Sequence, residues 1–265
     1  MSAVLTNTCC DRGMESSAAN SGCSFTNRTA LLKDQRILAV ATADFSVALG
    51  VALAKTKAKK VLKVVGDNVW EISKEAFGIK DNIDKFQKGS YSFKINLMKI
   101  IQRFNVSKFD QIITPSKYLK KIVSGWNVSP KKIRVIYNAI EASKFNEIRN
   151  KSELKKSLNI KGKSFVTVAR LVPWKGIDLL IDIFKDRKEN LIIVGGGPLE
   201  KELRNKAKNY KNIIFTGRVS LESVYEYMKI SDAFILNTAY EGLPHVVIEA
   251  FQVGIPVLIS DVCGN

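Results

Sequence analysis

Short apolar runs recur along the chain at residues 37–41, 61–65, 110–114, 133–137, 164–169, 191–194, 212–215, 233–237 and 256–260, each of strand length. Most are followed by a segment whose apolar residues repeat with a helical period, and that alternation predicts parallel α/β sheets. The punctuation agrees. In TPSKYLKK (114–121) Pro115 closes a strand and Ser116 is placed to cap the next helix. After Val253, Gly254 can take the left-handed helix-ending position and Pro256 prevents the helix from resuming.

The segment SFKINLMKIIQRF (92–104) predicts an amphipathic helix with Phe93, Leu97, Ile100 and Phe104 on one face and Lys94, Lys99 and Arg103 away from it. Its plainer reading packs the apolar face on the sheet and leaves a basic face in solvent; the other lays the helix on a membrane surface. The run ILAVATADFSVALGVALA (37–54) could span a bilayer only with Asp44 inside it, at about 3 kcal/mol. A buried strand followed by a helix is expected instead.

Residues 1–30, rich in Ser, Asn, Thr and Ala, lack periodicity and are expected to be disordered or atypical. Residues 141–163 are charged and carry no strand. The expected layout is therefore a first α/β domain at 31–145, a connector at 146–162 and a second domain at 163–265.

Charge changes the picture on one side only. The formal charge is +17, but residues 1–150 hold 25 Lys+Arg against 12 Asp+Glu, whereas residues 151–265 hold 17 against 13. The excess of +13 in the first half suggests an anionic partner there, such as a lipid surface or a phosphorylated acceptor. No aromatic-basic interleaving points to nucleic acid. Cys9, Cys10, Cys23 and Cys263 lack metal-ligand spacing and read as incidental thiols. No signal peptide is evident, because Asp11 and Glu15 fall where an apolar core should be.

Candidate chemistry concentrates after residue 165. In VARLVPWKGIDLLIDIF (168–184), Arg170 and Lys175 follow a strand and precede a helix, a position from which two cations can grip a diphosphate or simply face solvent. In LIIVGGGPLEKEL (191–203), Gly195, Gly196 and Gly197 permit close backbone approach, either to a ligand or in a tight turn; the third glycine of a dinucleotide fingerprint is missing. In ILNTAYEGLPHVVIEAFQVGIPVL (235–258), Glu241 lies at a helix mouth and Glu249 on the helix, while the N–H groups near Gly242, Leu243 and Pro244 suit a phosphate.

The segments ARLVPWKGID, VGGGP, FTGRV and EGLPHVVIEAFQVGIPVL, in this order and spacing, resemble the C-terminal half of the family-four retaining glycosyltransferases, from about Lys163 to Asn265. Upstream, IRVIYNAIEASKF (133–145), with Asn138 at its turn, resembles the domain-joining segment of that family. The resemblance implies the GT-B fold, two Rossmann-like domains facing each other across a cleft, here incomplete at both ends. It also implies a hexose donated with retention by a nucleoside-diphosphate sugar, with neither metal nor cofactor, to a glycan or lipid-linked acceptor. No Asp-x-Asp motif argues otherwise.

By the same resemblance Arg170 and Lys175 stabilise the leaving diphosphate and Glu241 contacts the donor sugar, or in an older reading attacks it. Glu249 would hold the ribose and the backbone near Arg218 and Val219 the base, with Gly197, Gly242, Leu243 and Pro244 around the donor. Many members carry a histidine after the strand that VLKVVGDNVWE (61–71) resembles; this chain has Val65, Gly66 and Asp67 there. Acceptor contact is expected from Asp67 or Glu71, or else Asp67 is a helix cap. The expected setting is cytoplasmic, with a peripheral position at an anionic inner leaflet.

Overall fold

The computed structural model describes residues 27–31, 37–42, 50–55, 57–140, 151–157 and 160–264. Strands β1 (Asn27–Leu31), β2 (Ile37–Thr42), β3 (Lys59–Val64), β4 (Gln111–Thr114) and β5 (Ile133–Val135) form one sheet in sequential order. β1 is antiparallel to β2 and every later pair is parallel. Around them lie α1 (Asn68–Phe77), α2 (Ile83–Lys88), α3 (Phe93–Ser107) and α4 (Lys117–Ser124). Ser116 caps α4, accepting a hydrogen bond from the Leu119 N–H. Asn27 to Ala30 belong to β1, so part of the stretch expected to be loose is a strand; residues 1–26, with Cys9, Cys10 and Cys23, lie outside the described residues.

After α5 (Lys151–Ser157) comes a second, all-parallel sheet of β6 (Ser164–Val168), β7 (Asn190–Val194), β8 (Ile213–Gly217), β9 (Ala233–Leu236) and β10 (Val257–Ile259). The spatial order is β10-β9-β6-β7-β8. Its helices are α6 (Ile177–Phe184), α7 (Glu200–Ala207), α8 (Leu221–Ile230) and α9 (His245–Val253). β7 shows why the sheet needs two helical layers. Leu191 and Ile193 pack on one side with Leu180, Phe184 and Leu203 of α6 and α7, whereas Ile192 and Val194 pack on the other with Met228 and Val247 of α8 and α9. A strand covered on both faces reads as a continuous apolar run.

The orientation of α3 overturns the expected packing. Its buried face is Ile95, Lys99, Gln102, Asn105 and Val106, and the face turned outward is Phe93, Leu97, Ile100 and Phe104. The reason lies in two neighbouring helix ends with backbone groups to satisfy. Lys99 donates through Nζ to the carbonyls of Phe86 and Gly89 at the end of α2, at 2.8 and 2.9 Å. Gln102 accepts from the Val69 N–H at the start of α1 and donates to Asp67. The polar side chains are thus needed inside, and rotation of the helix to supply them puts the apolar stripe outside.

The two sheets share packing. Val172, Trp174 and Tyr240, from loops of the second sheet, belong to the same buried cluster as Trp70, Phe86, Leu119 and Trp126 of the first. Trp70 meets Trp174 at 5.4 Å between ring centroids and Tyr240 edge-on at 5.2 Å. Asn138 bridges the halves, accepting from Lys63 Nζ and donating to the Leu243 carbonyl at 2.8 Å.

Candidate functional site

In the second sheet the chain moves outward from β6 through β7 and β8, then returns to the other side of β6 to lay down β9 and β10. The loops leaving the carboxyl ends of β6 and β9 therefore diverge, and the crevice between them is where open α/β sheets bind ligands. Both loops carry candidate residues. After β6 a short 3-10 turn, Pro173–Lys175, ends in Gly176 at φ +52°, and a Cβ there would strike the Asn237 side chain at 2.4 Å. The β9 loop is laced to this turn: the Ala239 N–H donates to the Trp174 carbonyl at 2.8 Å, the Thr238 hydroxyl donates to the same oxygen, and Asn237 donates to the Gly176 carbonyl. This lacing brings Lys175 Nζ into a direct ion pair with Glu241 Oε1.

The glycine-rich loop after β7 serves the same construction. Gly195, at φ +127°, lies where a Cβ would meet the Ala169 carbonyl oxygen at 2.1 Å, and a Cβ on Gly197 would meet the Leu171 nitrogen at 2.7 Å. Backbone hydrogen bonds from Leu171 to Gly196 and from Leu199 to Leu171 hold the two loops together. Of the two readings of this loop, its contacts are those of close backbone packing. Gly197 therefore positions the Arg170 segment, and the Arg218 side chain lies over Gly196.

From the other sheet, α1 presents Glu71 and Glu75. Arg170 pairs with Glu75 at 3.2 Å. Glu71 is pushed up to about 7 by burial first, then by Asp67 and Glu75, against the opposing pull of Arg170 and Lys175. A Cβ on Gly66 would lie 2.6 Å from Glu71 Oε1 and 3.7 Å from the Tyr240 hydroxyl, so the glycine clears room for the carboxylate. The Tyr240 hydroxyl is buried with no hydrogen-bond partner among the described residues, and burial raises its pKa well above the ordinary value. Arg170, Lys175, Glu241 and Glu71 thus converge from two loops and one helix. Glu75 and Tyr240 were not foreseen; the only signal for Glu75 was its place one helical turn beyond Glu71.

Of the two readings of Asp67, the structure shows the helix cap. Its carboxylate caps α1 by accepting from the Trp70 N–H at 3.1 Å, and it also accepts from Gln102 Nε2 and from Gln87 Nε2 at 2.6 Å. At 1% exposure and with hydrogen bonds at both oxygens, it serves the start of α1.

Gly242 is packed against the first sheet, where a Cβ would lie 2.5 Å from the Val65 carbonyl oxygen. Leu243 offers its carbonyl to Asn138. Pro244 opens α9 without a side-chain cap, and the Val247 N–H turns back to the Pro244 carbonyl at 3.3 Å. Glu249 lies one turn further, half-buried, with its charge acting on Tyr225 of α8. Val219 packs with the α8 and α9 layer.

Residues 29–144 match the family described as Glycosyltransferase Family 4, and residues 149–265 match Glycosyl transferases group 1. Among curated proteins, an uncharacterised glycosyltransferase of Methanocaldococcus jannaschii is 30% identical over 190 residues, 68% of this chain and 46% of that protein. The Escherichia coli UDP-Gal:alpha-D-GlcNAc-diphosphoundecaprenol alpha-1,3-galactosyltransferase is 34% identical over 52% of this chain and 39% of its own length. The chain therefore spans less than half the length of these relatives. Among solved structures, Anabaena HepE in complex with UDP-glucose is similar in fold, with a TM-score of 0.67 and 17% identity over 85% of this chain and 60% of that one. WaaG, a glycosyltransferase involved in lipopolysaccharide biosynthesis, gives 0.59 and 18% over 77% and 57%.

Proposed function

The chain belongs to the group 1, family-four glycosyltransferases, a retaining family of GT-B fold, and on that footing we propose that its crevice takes a nucleoside-diphosphate hexose and passes the sugar to a lipid-linked or polysaccharide acceptor. The observation that carries this reading is the Lys175–Glu241 pair at the point where the strand order reverses, with Arg170 beside it and Glu71 facing it from the other sheet. Lys175 and Arg170 stabilise the charge that develops on the departing diphosphate. The open start of α9, at Gly242, Leu243 and Pro244, receives a phosphate. Glu241 takes sugar hydroxyls, Glu249 the ribose, and the segment of Arg218 and Val219 the base. Glu71 orients the acceptor hydroxyl. The acceptor oxygen bonds to the anomeric carbon on the face that the diphosphate leaves, and the acceptor proton passes to a departing diphosphate oxygen. A cytoplasmic setting goes with this reading.

The E. coli relative is named for an undecaprenyl-diphosphate acceptor, as is a Campylobacter jejuni N-acetylgalactosaminyltransferase 28% identical over 178 residues, and these names favour a lipid-linked acceptor here. The test is calorimetric titration with UDP, GDP and ADP followed by transfer from a panel of their sugars to polyprenyl-diphosphate glycans. Micromolar binding of one nucleotide that is lost in Lys175→Met supports the donor site, and transfer supports the full reaction. Binding without transfer selects the narrower reading of a nucleotide-sugar-binding chain without catalysis. Absence of binding to every nucleotide overturns both.

A further inference from the structure

Resting on the reading that the crevice passes a sugar to an acceptor, we propose that the Tyr240 hydroxyl and the Glu71 carboxyl form a two-point receptor for one hydroxyl of a neutral acceptor sugar. Tyr240 is 4% exposed, and its hydroxyl has no hydrogen-bond partner among the described residues. A buried hydroxyl without a partner is destabilising, so its presence needs a cause. The ring is held in place by its neighbours: Trp70 meets it edge-on at 5.2 Å between centroids and Tyr118 at 6.3 Å. The Tyr240 hydroxyl and Glu71 Oε1 both lie within 4 Å of the point where a Cβ on Gly66 would stand, yet they do not bond to each other. One oxygen placed between them can accept from the tyrosine and donate to the carboxyl, each at the ordinary length of about 2.7 Å.

The surrounding charges select the ligand. Asp67, Glu75, Arg170 and Lys175 face Glu71, and Asp67, Glu241 and Tyr118 face Tyr240. The two cations are paired with Glu75 and Glu241, and under the proposed function they serve the diphosphate once a donor is bound. A carboxylate or phosphate on the acceptor would therefore meet carboxylates whose opposing cations are engaged. A sugar hydroxyl carries no charge, donates once and accepts, which is what the two oxygens ask of it. The donor sugar bears hydroxyls too, but Glu71 reaches this point from α1 of the first sheet, whereas the donor groups stand on the second. Tyr240 is then a specificity residue, through which the loop that carries Glu241 also reads the acceptor.

The test is saturation-transfer NMR titration with methyl glycosides of neutral hexoses and of a hexuronic acid, with and without UDP, GDP or ADP. The parent is expected to bind a neutral hexoside in preference to the hexuronate, and Tyr240→Phe to bind it about tenfold less. Because the lost hydroxyl has no partner in the free chain, Tyr240→Phe should keep or raise the urea midpoint. Tyr118→Phe, which removes a hydroxyl bonded to Asp84 at 2.8 Å, should lower the midpoint and bind the hexoside like the parent. Nucleotide titrations report the donor site separately: if the parent binds no nucleotide, the proposed function fails, while the titrations without nucleotide still decide the receptor. The proposal is overturned if the parent binds no neutral hexoside, if Tyr240→Phe binds it equally, or if Tyr240→Phe lowers the urea midpoint. It is also overturned if Tyr240→Phe weakens a nucleotide sugar relative to its nucleotide, since the hydroxyl bound there would then be the donor's.

Discussion

Lys175 and Glu241 form an ion pair between two loops that leave adjacent parallel strands in opposite directions. Their side chains are only 16% and 10% exposed, so neither charge can turn to water when its partner is removed. The pair is therefore both a structural clamp and a preset charge arrangement. Under the proposed function, a diphosphate entering the crevice would meet a lysine already fixed in place, and the sugar behind it the carboxylate.

Removing one member of the pair is expected to cost more than removing both. Lys175→Met leaves Glu241 buried without its counterion and should destabilise the chain by about 3 kcal/mol, whereas Lys175→Met/Glu241→Gln should recover much of that loss. Thermal denaturation of the two single variants and the double variant measures the coupling. Additive effects would show that the pair contributes no mutual stabilisation.

Glu71 gives the fold a pH dependence of definite sign. Its pKa of about 7 lies above the ordinary 4.5, so folding favours the neutral carboxyl. The stability contributed is present in full below about pH 4.5 and is lost as pH rises through about 7. Glu71→Gln should therefore be more stable than the parent at about pH 8, by up to about 3 kcal/mol, and similar to it near pH 5. Urea midpoints at the two pH values check this, and a constant difference between parent and variant would contradict it.

Trp174 joins the halves by packing against Trp70 within the first-sheet core. Trp174→Ala should lower stability by about 3–5 kcal/mol, because the void opens at a junction between loops of one sheet and the helices of the other. The loss would appear as a lower denaturant midpoint. It should also loosen the turn carrying Lys175, and so weaken nucleotide binding.

Much of this architecture is legible in the sequence because buried parallel strands carry uninterrupted apolar runs, as Leu191 to Val194 do. The meeting of Arg170, Lys175 and Glu241 is legible for a related reason: motifs at the carboxyl ends of strands in one sheet must share a rim. What fails is the choice between faces of one helix. In α3 the positions 93, 97, 100 and 104 and the positions 95, 99, 102 and 106 each repeat with helical spacing, and hydrophobicity favours the first set. The deciding partners, the Phe86 carbonyl and the Asp67 carboxylate, come from other elements and leave no local trace. Strand β1 is missed because Asn27, Arg28 and Thr29 offer no apolar signal. The same blindness leaves Asp67 readable either as a ligand group or as a helix cap, since its commitment to Gln87 and Gln102 is tertiary.

That commitment can be tested by asking which substitution the site tolerates. Asp67→Ala removes the α1 cap and strands two glutamine amides, and should cost about 2–4 kcal/mol. Asp67→Asn keeps one oxygen for the Trp70 N–H but turns an NH2 group toward Gln87 Nε2 or Gln102 Nε2. Gln87 cannot simply flip to accept it, because its Oε1 already receives the Trp126 indole N–H at 2.8 Å. The asparagine variant should thus be destabilised as well, by less than the alanine variant. Both lose the Asp67 charge that helps raise Glu71, so the fall in stability with rising pH should move to lower pH in each. Urea denaturation across about pH 5 to 8 reads both effects. An unshifted pH profile would show that Asp67 and Glu71 do not sense each other, and an unchanged midpoint in Asp67→Ala would return Asp67 to the list of groups free to bind an acceptor.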